Sequence, residues 1–291
     1  MANLKEIRTR IASVTTTRQI TSAMKMVSAA KLKKAQDAII ELRPYAQKLS
    51  EIISNINNDA SISEENLYCS ERQINNVLIV LVTSNRGMCG AFNSNVIKQA
   101  LQTAYTNYDE FLRNRHLKFV AIGKKGYDFL KSKKYPILAS FNHIIEKPTF
   151  DKVLPVAQQI MQLFITNQFD KIVIIYNKFK NAAVQLLTEE QFLPICKKQE
   201  NIKVISNYIY EPSIEYIFNE LIPKSLRISF FKTLLDSHAS EHGARMTAMH
   251  KATDNATELL KELKLNYNKA RQAAITGEIL EIVGGAEALR G

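Results

Sequence analysis

The chain has 291 residues, with 39 Lys and Arg against 28 Asp and Glu, and a formal net charge of +11. Hydrophobic residues make up 46% and aromatics 8%. That is enough apolar material for a packed core, which excludes a disordered chain. Cys69, Cys89 and Cys196 stand far apart and form no CxxC pair, which argues against a disulfide scaffold and a zinc ribbon.

The first part, residues 1–57, carries ten Lys or Arg against four Asp or Glu, and holds one Pro (Pro44) and no Gly. A 3-4 spacing runs Leu4, Ile7, Ile11, Val14, Arg18, Thr21, Lys25, Ser28, Leu32, Ala35, Ile39, Leu42, Ala46, Leu49, Ile53, Ile56. Twelve of these sixteen are apolar, and the four failures are consecutive. A stripe sustained over so many heptads predicts a coiled-coil helix. Across the failing stretch the apolar residues shift to Ile20, Met24 and Val27, which predicts a phase shift of the seam. Pro44 is expected to kink the helix without ending it.

Residues 58–73 read as a polar connector. From 74 to 207 the period changes. Strands are predicted at Asn76–Ser84, Leu117–Ile122, Ile137–Phe141, Lys171–Asn177 and Ala183–Phe192, and helices at 92–114, 126–133 and 151–168. Strands alternating with helices predict an α/β domain with a Rossmann-like, mostly parallel sheet.

From 208 to 291 a second helical stripe reads Ile214, Ile217, Leu221, Ile228, Phe231, Leu235, then Met249, Ala252, Ala256, Leu259, Leu263, Ala270, Ala273. It fails at His238, His242 and Arg245. Pro223 predicts a bend near its start. At 1.5 Å per residue such a helix spans roughly 110 Å, so it needs a partner helix along part of its length. The two terminal helices are therefore expected to pair antiparallel as a long coiled coil. The polar break at 18–28 would face the break at 238–245, residue 4 would lie opposite about residue 261, and a tail would project.

Several local patterns resemble chemical sites. The turn Ser84-Asn85-Arg86-Gly87-Met88-Cys89-Gly90 follows the first strand, where α/β sheets bind ligands, but it is neither G-x-G-x-x-G nor a Walker loop. It reads first as a tight strand-to-helix turn, and Gly123-Lys124-Lys125-Gly126 is weaker still. Cys89 is expected to be a small buried thiol rather than a nucleophile. His238-Ala239-Ser240-Glu241-His242 matches H-x-x-E-H, yet it lies inside a long helical pattern and is read as a polar interruption. Lys31, Lys33 and Lys34 form a basic band, with none of the interleaved aromatics of a nucleic-acid module. No cofactor, metal site or nucleic-acid partner is expected, and the chain looks poor as an enzyme on its own. The longest apolar runs fall far short of the ~18 residues of a membrane span, so no direct membrane insertion is expected. The N-terminus (MANLKEIRTR) shows no apolar signal core and no organelle presequence.

The combination of blocks is specific. Lys5–Ile11 (KEIRTRI), Arg18–Lys31 (RQITSAMKMVSAAK), Ser84–Asn93 (SNRGMCGAFN), Tyr210-Glu211-Pro212, Glu241–Met249 (EHGARMTAM), Ala252–Ala256 (ATDNA), Tyr267–Thr276 (YNKARQAAIT) and Glu278-Ile279 together resemble the gamma (rotor) subunit family of F-type ATP synthases, over essentially the whole chain. The resemblance implies an asymmetric shaft inside a hexamer of alpha and beta subunits. Its α/β domain would stand against the epsilon subunit and the c-subunit ring, and no reaction would occur on this chain. Ion flow would drive rotation and ATP synthesis, and hydrolysis would drive the reverse. By resemblance, Arg271 and Gln272 match positions that hydrogen-bond beta-subunit catch loops. Met24, Lys25 and Arg245 match the neck region, and Thr276, Glu278 and Glu281 match further coupling positions. A bacterial protein, peripheral on the cytoplasmic side of the inner membrane, is implied. The chloroplast pair of regulatory cysteines is not matched, since only Cys196 lies in that neighbourhood.

Overall fold

The computed structural model describes residues 4–57, 67–69, 72–195 and 216–289. Cys196, the Tyr210–Pro212 block and Ile214 lie outside them, as does most of the polar connector. The elements in chain order are α1 (Leu4–Asn57), β1 (Val77–Val82), α2 (Phe92–Asn107), α3 (Asp109–Arg113), β2 (Leu117–Ile122), α4 (Lys124–Ser132), β3 (Ile137–Ser140), α5 (Phe150–Ile165), β4 (Lys171–Phe179), β5 (Gln185–Leu193) and α6 (Ile222–Ala288), the last preceded by a π-helical turn at Ile217–Leu221. The chain forms two compact units, Ala29–Arg245 and Met1–Ser28 with Met246–Gly291.

The larger unit is built on a five-stranded sheet of order β3-β2-β1-β4-β5. β1 pairs parallel with β2 and β4, β2 with β3, and only β5 runs antiparallel, on β4. All six residues of β1 are buried, as a central strand covered on both faces requires. The strand period of two divides them. Leu78, Val80 and Val82 join a core with Val153, Ile160 and Phe164 of α5, Leu226, Phe230 and Leu234 of α6, and Ala46, Leu49 and Ile53 of α1. Val77, Ile79 and Leu81 face the other way, onto Val96, Ala100 and Ala104 of α2 and Leu130 of α4. Each fully buried Leu or Phe contributes about 2 kcal/mol, so the sheet holds its helices from both sides.

The helix expected over 92–114 is broken. Tyr108 leaves helical geometry at φ −140° and separates α2 from α3. Its ring is thereby buried, edge-on to Phe111 at 6.3 Å and under the Lys171 ammonium at 5.7 Å. Pro223, where a bend was expected, sits just after a π-helical turn at Ile217–Leu221. Proline cannot donate to the carbonyl four residues back, and the regular α-helical pattern starts beside it. α1 runs through Pro44 as one helix.

In this unit α6 is not a one-sided stripe. From Thr233 to Arg245 every residue is buried or half-buried, because α1 covers it on one side and the sheet domain on others. His238, His242 and Arg245, expected as polar interruptions of a seam, are instead enclosed. Arg43 of α1 reaches Asp236 at 3.1 Å and also donates to the Phe179 carbonyl at 3.0 Å. Gly243 lies where an added Cβ would come within 3.1 Å of the Ala182 carbonyl oxygen.

In the smaller unit the N-terminal turns of α1 pack on the C-terminal part of α6. Here the predicted phase shift does not occur. Ile20 (54% exposed) and Val27 (56%) point outward, whereas the polar residues hold the seam: Thr21 and Ser28 are buried, and Arg18 and Lys25 half-buried. Short hydroxyl side chains make this possible by bonding to their own helix. Ser28 donates to the Met24 carbonyl at 2.7 Å and Thr21 to the Arg18 carbonyl at 3.0 Å. The Thr253 hydroxyl crosses the seam to Thr21 at 2.9 Å.

The register also differs from expectation. Thr21 faces Thr253, about nine residues nearer the C-terminus than the expected pairing, or roughly 13 Å along a helix. Asp236, within the larger unit, has Arg43 as its partner. The polar stretches 18–28 and 238–245 belong to different pairings: Thr21 is bonded by Thr253, whereas Arg245 bonds the loop after β1. On α6 the seam takes Leu260 rather than Leu259, which is 39% exposed, and Ala274 rather than Ala273. Burial ends at Leu263, and Glu278 to Leu289 are exposed throughout.

Candidate functional site

Two regions gather the residues singled out in the sequence. In the larger unit, the loop after β1 closes around Arg245 of α6. Thr83 and Ser84 are fully buried at the end of β1. Asn93, in the first turn of α2, accepts from the Ser84 backbone N–H at 2.9 Å and donates to its hydroxyl at 2.8 Å. Ser84 in turn donates to the Arg86 carbonyl at 2.6 Å. Met88 and Gly90 adopt left-handed φ of 62° and 60°. The carbonyls of Arg86 and Gly87 turn inward, toward α6.

Arg245 occupies that position. Its Nη2 donates to the Arg86 carbonyl at 3.0 Å and the Gly87 carbonyl at 3.3 Å, and its Nη1 pairs with Glu241 at 2.7 Å. Both side chains are about nine-tenths buried, so this is an interior ion pair with its remaining donors satisfied, the condition under which such a pair is tolerated. Burial still pushes the Glu241 carboxyl above the usual range, against the pull of Arg245. The crevice at the carboxyl ends of the strands, where α/β sheets usually take a ligand, is thus filled by the chain's own guanidinium. The loop offers it carbonyl oxygens, not the N–H groups a phosphate would need.

The two histidines form a hydrogen-bonded row. Arg245 Nη1 lies 3.5 Å from His242 Nδ1, His242 Nε2 lies 3.2 Å from His238 Nε2, and the His238 ring bonds the Glu146 backbone. Donors and acceptors match if both rings are neutral, with His242 protonated on Nε2 and His238 on Nδ1. Desolvation enforces this, lowering His238 to about 4 and His242 to about 3. Lys31 lies near enough to oppose their protonation further. Cys89 is buried, with its thiol pushed up by desolvation and hydrogen-bonded by Asn93 at 3.3 Å, an inert packing residue. Among the described residues no group of three or more His, Cys, Asp or Glu is placed to hold a metal ion.

Gly123 and Gly126 are explained by Thr83. Gly123 has φ +102°, and a Cβ there would fall 2.1 Å from the Thr83 carbonyl oxygen. Gly126 donates its N–H to Thr83 Oγ1 at 2.9 Å. The pair lets α4 begin directly against β1.

In the smaller unit, Met24 and Lys25 are half-buried on α1, and Arg271, Gln272, Thr276, Glu278 and Glu281 are all exposed on α6. Arg271 and Glu278 are seven residues apart and share a helix face. Around them large apolar side chains face solvent: Ile275, Ile279, Leu280 (66% exposed), Ile282 (71%) and Val283. In the larger unit Lys31, Lys33 and Lys34 are exposed on α1. Sequence reasoning missed the polar knot at Ser84, Asn93 and Arg245 because its members are far apart in the chain. The signal available was the excess of polar residues in both segments.

A family model described as ATP synthase matches residues 3–289. The chain belongs to the ATP synthase gamma-chain family. It is 55% identical over 292 residues to the ATP synthase gamma chain of Flavobacterium johnsoniae and 52% identical over 291 residues to that of Christiangramia forsetii, with all of both chains covered in each case. Among solved structures it resembles a central stalk/c-ring chain of the Tetrahymena thermophila mitochondrial ATP synthase (26% identity, TM-score 0.61), covering 80% of this chain and 99% of that one. It also shares the fold of a rotor chain of the Euglena gracilis mitochondrial ATP synthase (20% identity, TM-score 0.67), covering 94% and 98% respectively. The gamma family supplies the central stalk of the rotary F-type enzyme, a non-catalytic subunit, and that is the role of this chain. Among the described residues no helix is long and apolar enough to cross a membrane.

Proposed function

We propose that this gamma-family chain turns inside the ring of alternating alpha and beta subunits of a bacterial ATP synthase. It would stand on the epsilon subunit and the c-subunit ring, at the cytoplasmic side of the inner membrane. Ion flow through the membrane sector rotates it, and its asymmetry forces the beta subunits through their conformations in turn. ATP hydrolysis drives the rotation backwards. An off-centre shaft shifts each beta subunit only by touching its alternative states differently.

The observation that carries this reading is the exposed end of α6. From Glu278 to Leu289 no residue is buried, yet Ile279, Leu280, Ile282 and Val283 lie there. Apolar side chains left outside in such density mark a surface that meets a partner. Arg271, Gln272, Thr276, Glu278 and Glu281 provide the polar contacts on the same stretch. Met24 and Lys25 lie at the neck, where the shaft passes the beta-subunit levers, and the basic band Lys31, Lys33 and Lys34 faces acidic segments of the beta subunits, where opposite charge attracts and steers. Arg245 acts differently: buried against the Arg86 and Gly87 carbonyls, it holds the loop after β1 in place beside the neck.

The test is Arg271→Ala with Gln272→Ala in the reconstituted complex. Hydrogen bonds to a charged group contribute about 1.5–3 kcal/mol each, so coupled ATP synthesis is expected to fall at least several-fold, while the beta subunits bind nucleotide as before. Unchanged synthesis would refute the role given to these two residues.

A further inference from the structure

A second crevice lies at the opposite end of the sheet from Arg245. It is a groove of about 710 Å³ lined by Tyr105, Asp109, Leu112, Arg113, Arg115, Lys133, Lys134, Tyr135 and Pro136. These residues come from the end of α2, from α3 and its link to β2, and from the turn joining α4 to β3. The groove therefore opens at the amino ends of β2 and β3.

We propose that this groove binds a small molecule carrying a phosphate or diphosphate group. Its charge is the first reason. Four cations line it against one carboxylate, and that carboxylate is already occupied: Asp109 pairs with Arg113 at 2.6 Å. Arg115, Lys133 and Lys134 are exposed, and three cations around one hollow favour an occupant with at least two negative charges. Phosphate groups fit the planar fork of arginine and the point charge of lysine.

The second reason is backbone geometry. α3 and α4 both end in the same cap, with the next residue in the left-handed region: Arg115 at φ 61° and Lys134 at φ 59°. In each cap the following N–H reaches back across the helix end, His116 to the Phe111 carbonyl at 2.8 Å and Tyr135 to the Leu130 carbonyl at 3.0 Å. Glycine is the ordinary occupant of such a position, because a side chain there crowds the backbone. At both caps the chain has a cation instead, and both cations line the groove.

The third reason is a donor at the wall. The Tyr105 and Tyr135 hydroxyls lie 2.8 Å apart, so one donates to the other and a single hydroxyl hydrogen remains to point outward. Desolvation and its neighbour push Tyr135 up to about 12, so it remains a neutral phenol. Leu112 and Pro136 give the groove an apolar side for the remainder of the ligand. Its volume falls in the range of small-molecule sites.

The full-length chain is titrated calorimetrically with inorganic pyrophosphate. In a separate arm it is floated with phosphatidylcholine vesicles containing phosphatidic acid. Binding of pyrophosphate at one site per chain is expected, with roughly tenfold weaker binding after Lys133→Gln with Lys134→Asn. Tyr105→Phe, which leaves the cations in place, is expected to weaken it by a smaller factor. Lys147→Gln with Lys152→Gln removes two charges outside the groove and is expected to leave it unchanged. Vesicle binding abolished by the groove variant, without pyrophosphate binding, would assign the phosphate to a lipid headgroup. Binding of neither probe, or equal weakening by the Lys147 and Lys152 pair, would overturn the site.

Discussion

His238 and His242 show how a buried polar residue becomes a statement about pH. Both rings are held neutral, with folded values of about 4 and 3 against an ordinary 6.5. The unfolded chain therefore binds more protons than the folded one between those limits. Their contribution to stability is complete above pH 6.5 and is lost as pH falls toward 4 and 3. The slope is up to about 1.4 kcal/mol per pH unit for each ring. Lys31 and Arg245, which face the pair, add to the effect. Glu241 has the opposite sense, since its raised value favours the folded state as pH falls. Urea unfolding across this range is expected to show a shallower acid limb for His238→Gln with His242→Gln than for the parent chain. A second residue-scale prediction concerns Gly123. A methyl group there meets the Thr83 backbone in a left-handed conformation, so Gly123→Ala is expected to cost at least about 2 kcal/mol by the same measurement. The sequence marked the loop Ser84–Gly90 as special but offered no means of seeing what fills it. Arg245 lies more than 150 residues away, and only tertiary structure brings its guanidinium to the Arg86 and Gly87 carbonyls.

At the scale of elements, the 3-4 stripe of α1 holds from Leu4 to Ile53, and it passes unshifted through its polar stretch. Where Arg18, Thr21, Lys25 and Ser28 interrupted the apolar pattern, hydrophobicity alone moved the seam to Ile20 and Val27. Hydroxyl side chains that bond their own helix carry the seam straight through instead. Periodicity also fixes which face of a helix is buried but not how far one helix slides along another, and this is why the register was misjudged while the pairing was not. Thr21 and Thr253 give the direct check. With cysteine at both positions, oxidation is expected to give an intrachain crosslink in high yield, since the two hydroxyls lie 2.9 Å apart, and peptide mapping would identify it. Thr21→Cys paired with a cysteine at residue 244, the neighbour in the expected register, should give little. The break at Tyr108 was invisible for a related reason. Asn107 and Tyr108 are not strong breakers, and the helix yields there to bury an aromatic ring.

For the whole molecule, the alternation of strands and helices was enough to foresee a mostly parallel sheet, because a parallel strand must be reached by a crossover. Strand bounds were close: Leu117–Ile122 was met in full, and β1 came out shorter than Asn76–Ser84. The apolar residues Ile279, Leu280, Ile282 and Val283 were present in the sequence too, but only the structure shows that none of the described residues covers them. A crevice where Arg245 bonds the Arg86 and Gly87 carbonyls, and a helical end that exposes apolar side chains, suit a part that transmits force. The most direct measurement is single-molecule rotation. The chain is assembled with its alpha and beta subunits on a surface, a probe is attached through a cysteine replacing the exposed Ser94, and ATP is added. Sustained one-way rotation that follows ATP concentration is the expected result. A complex that hydrolyses ATP at full rate while the probe stays still would contradict the rotor role.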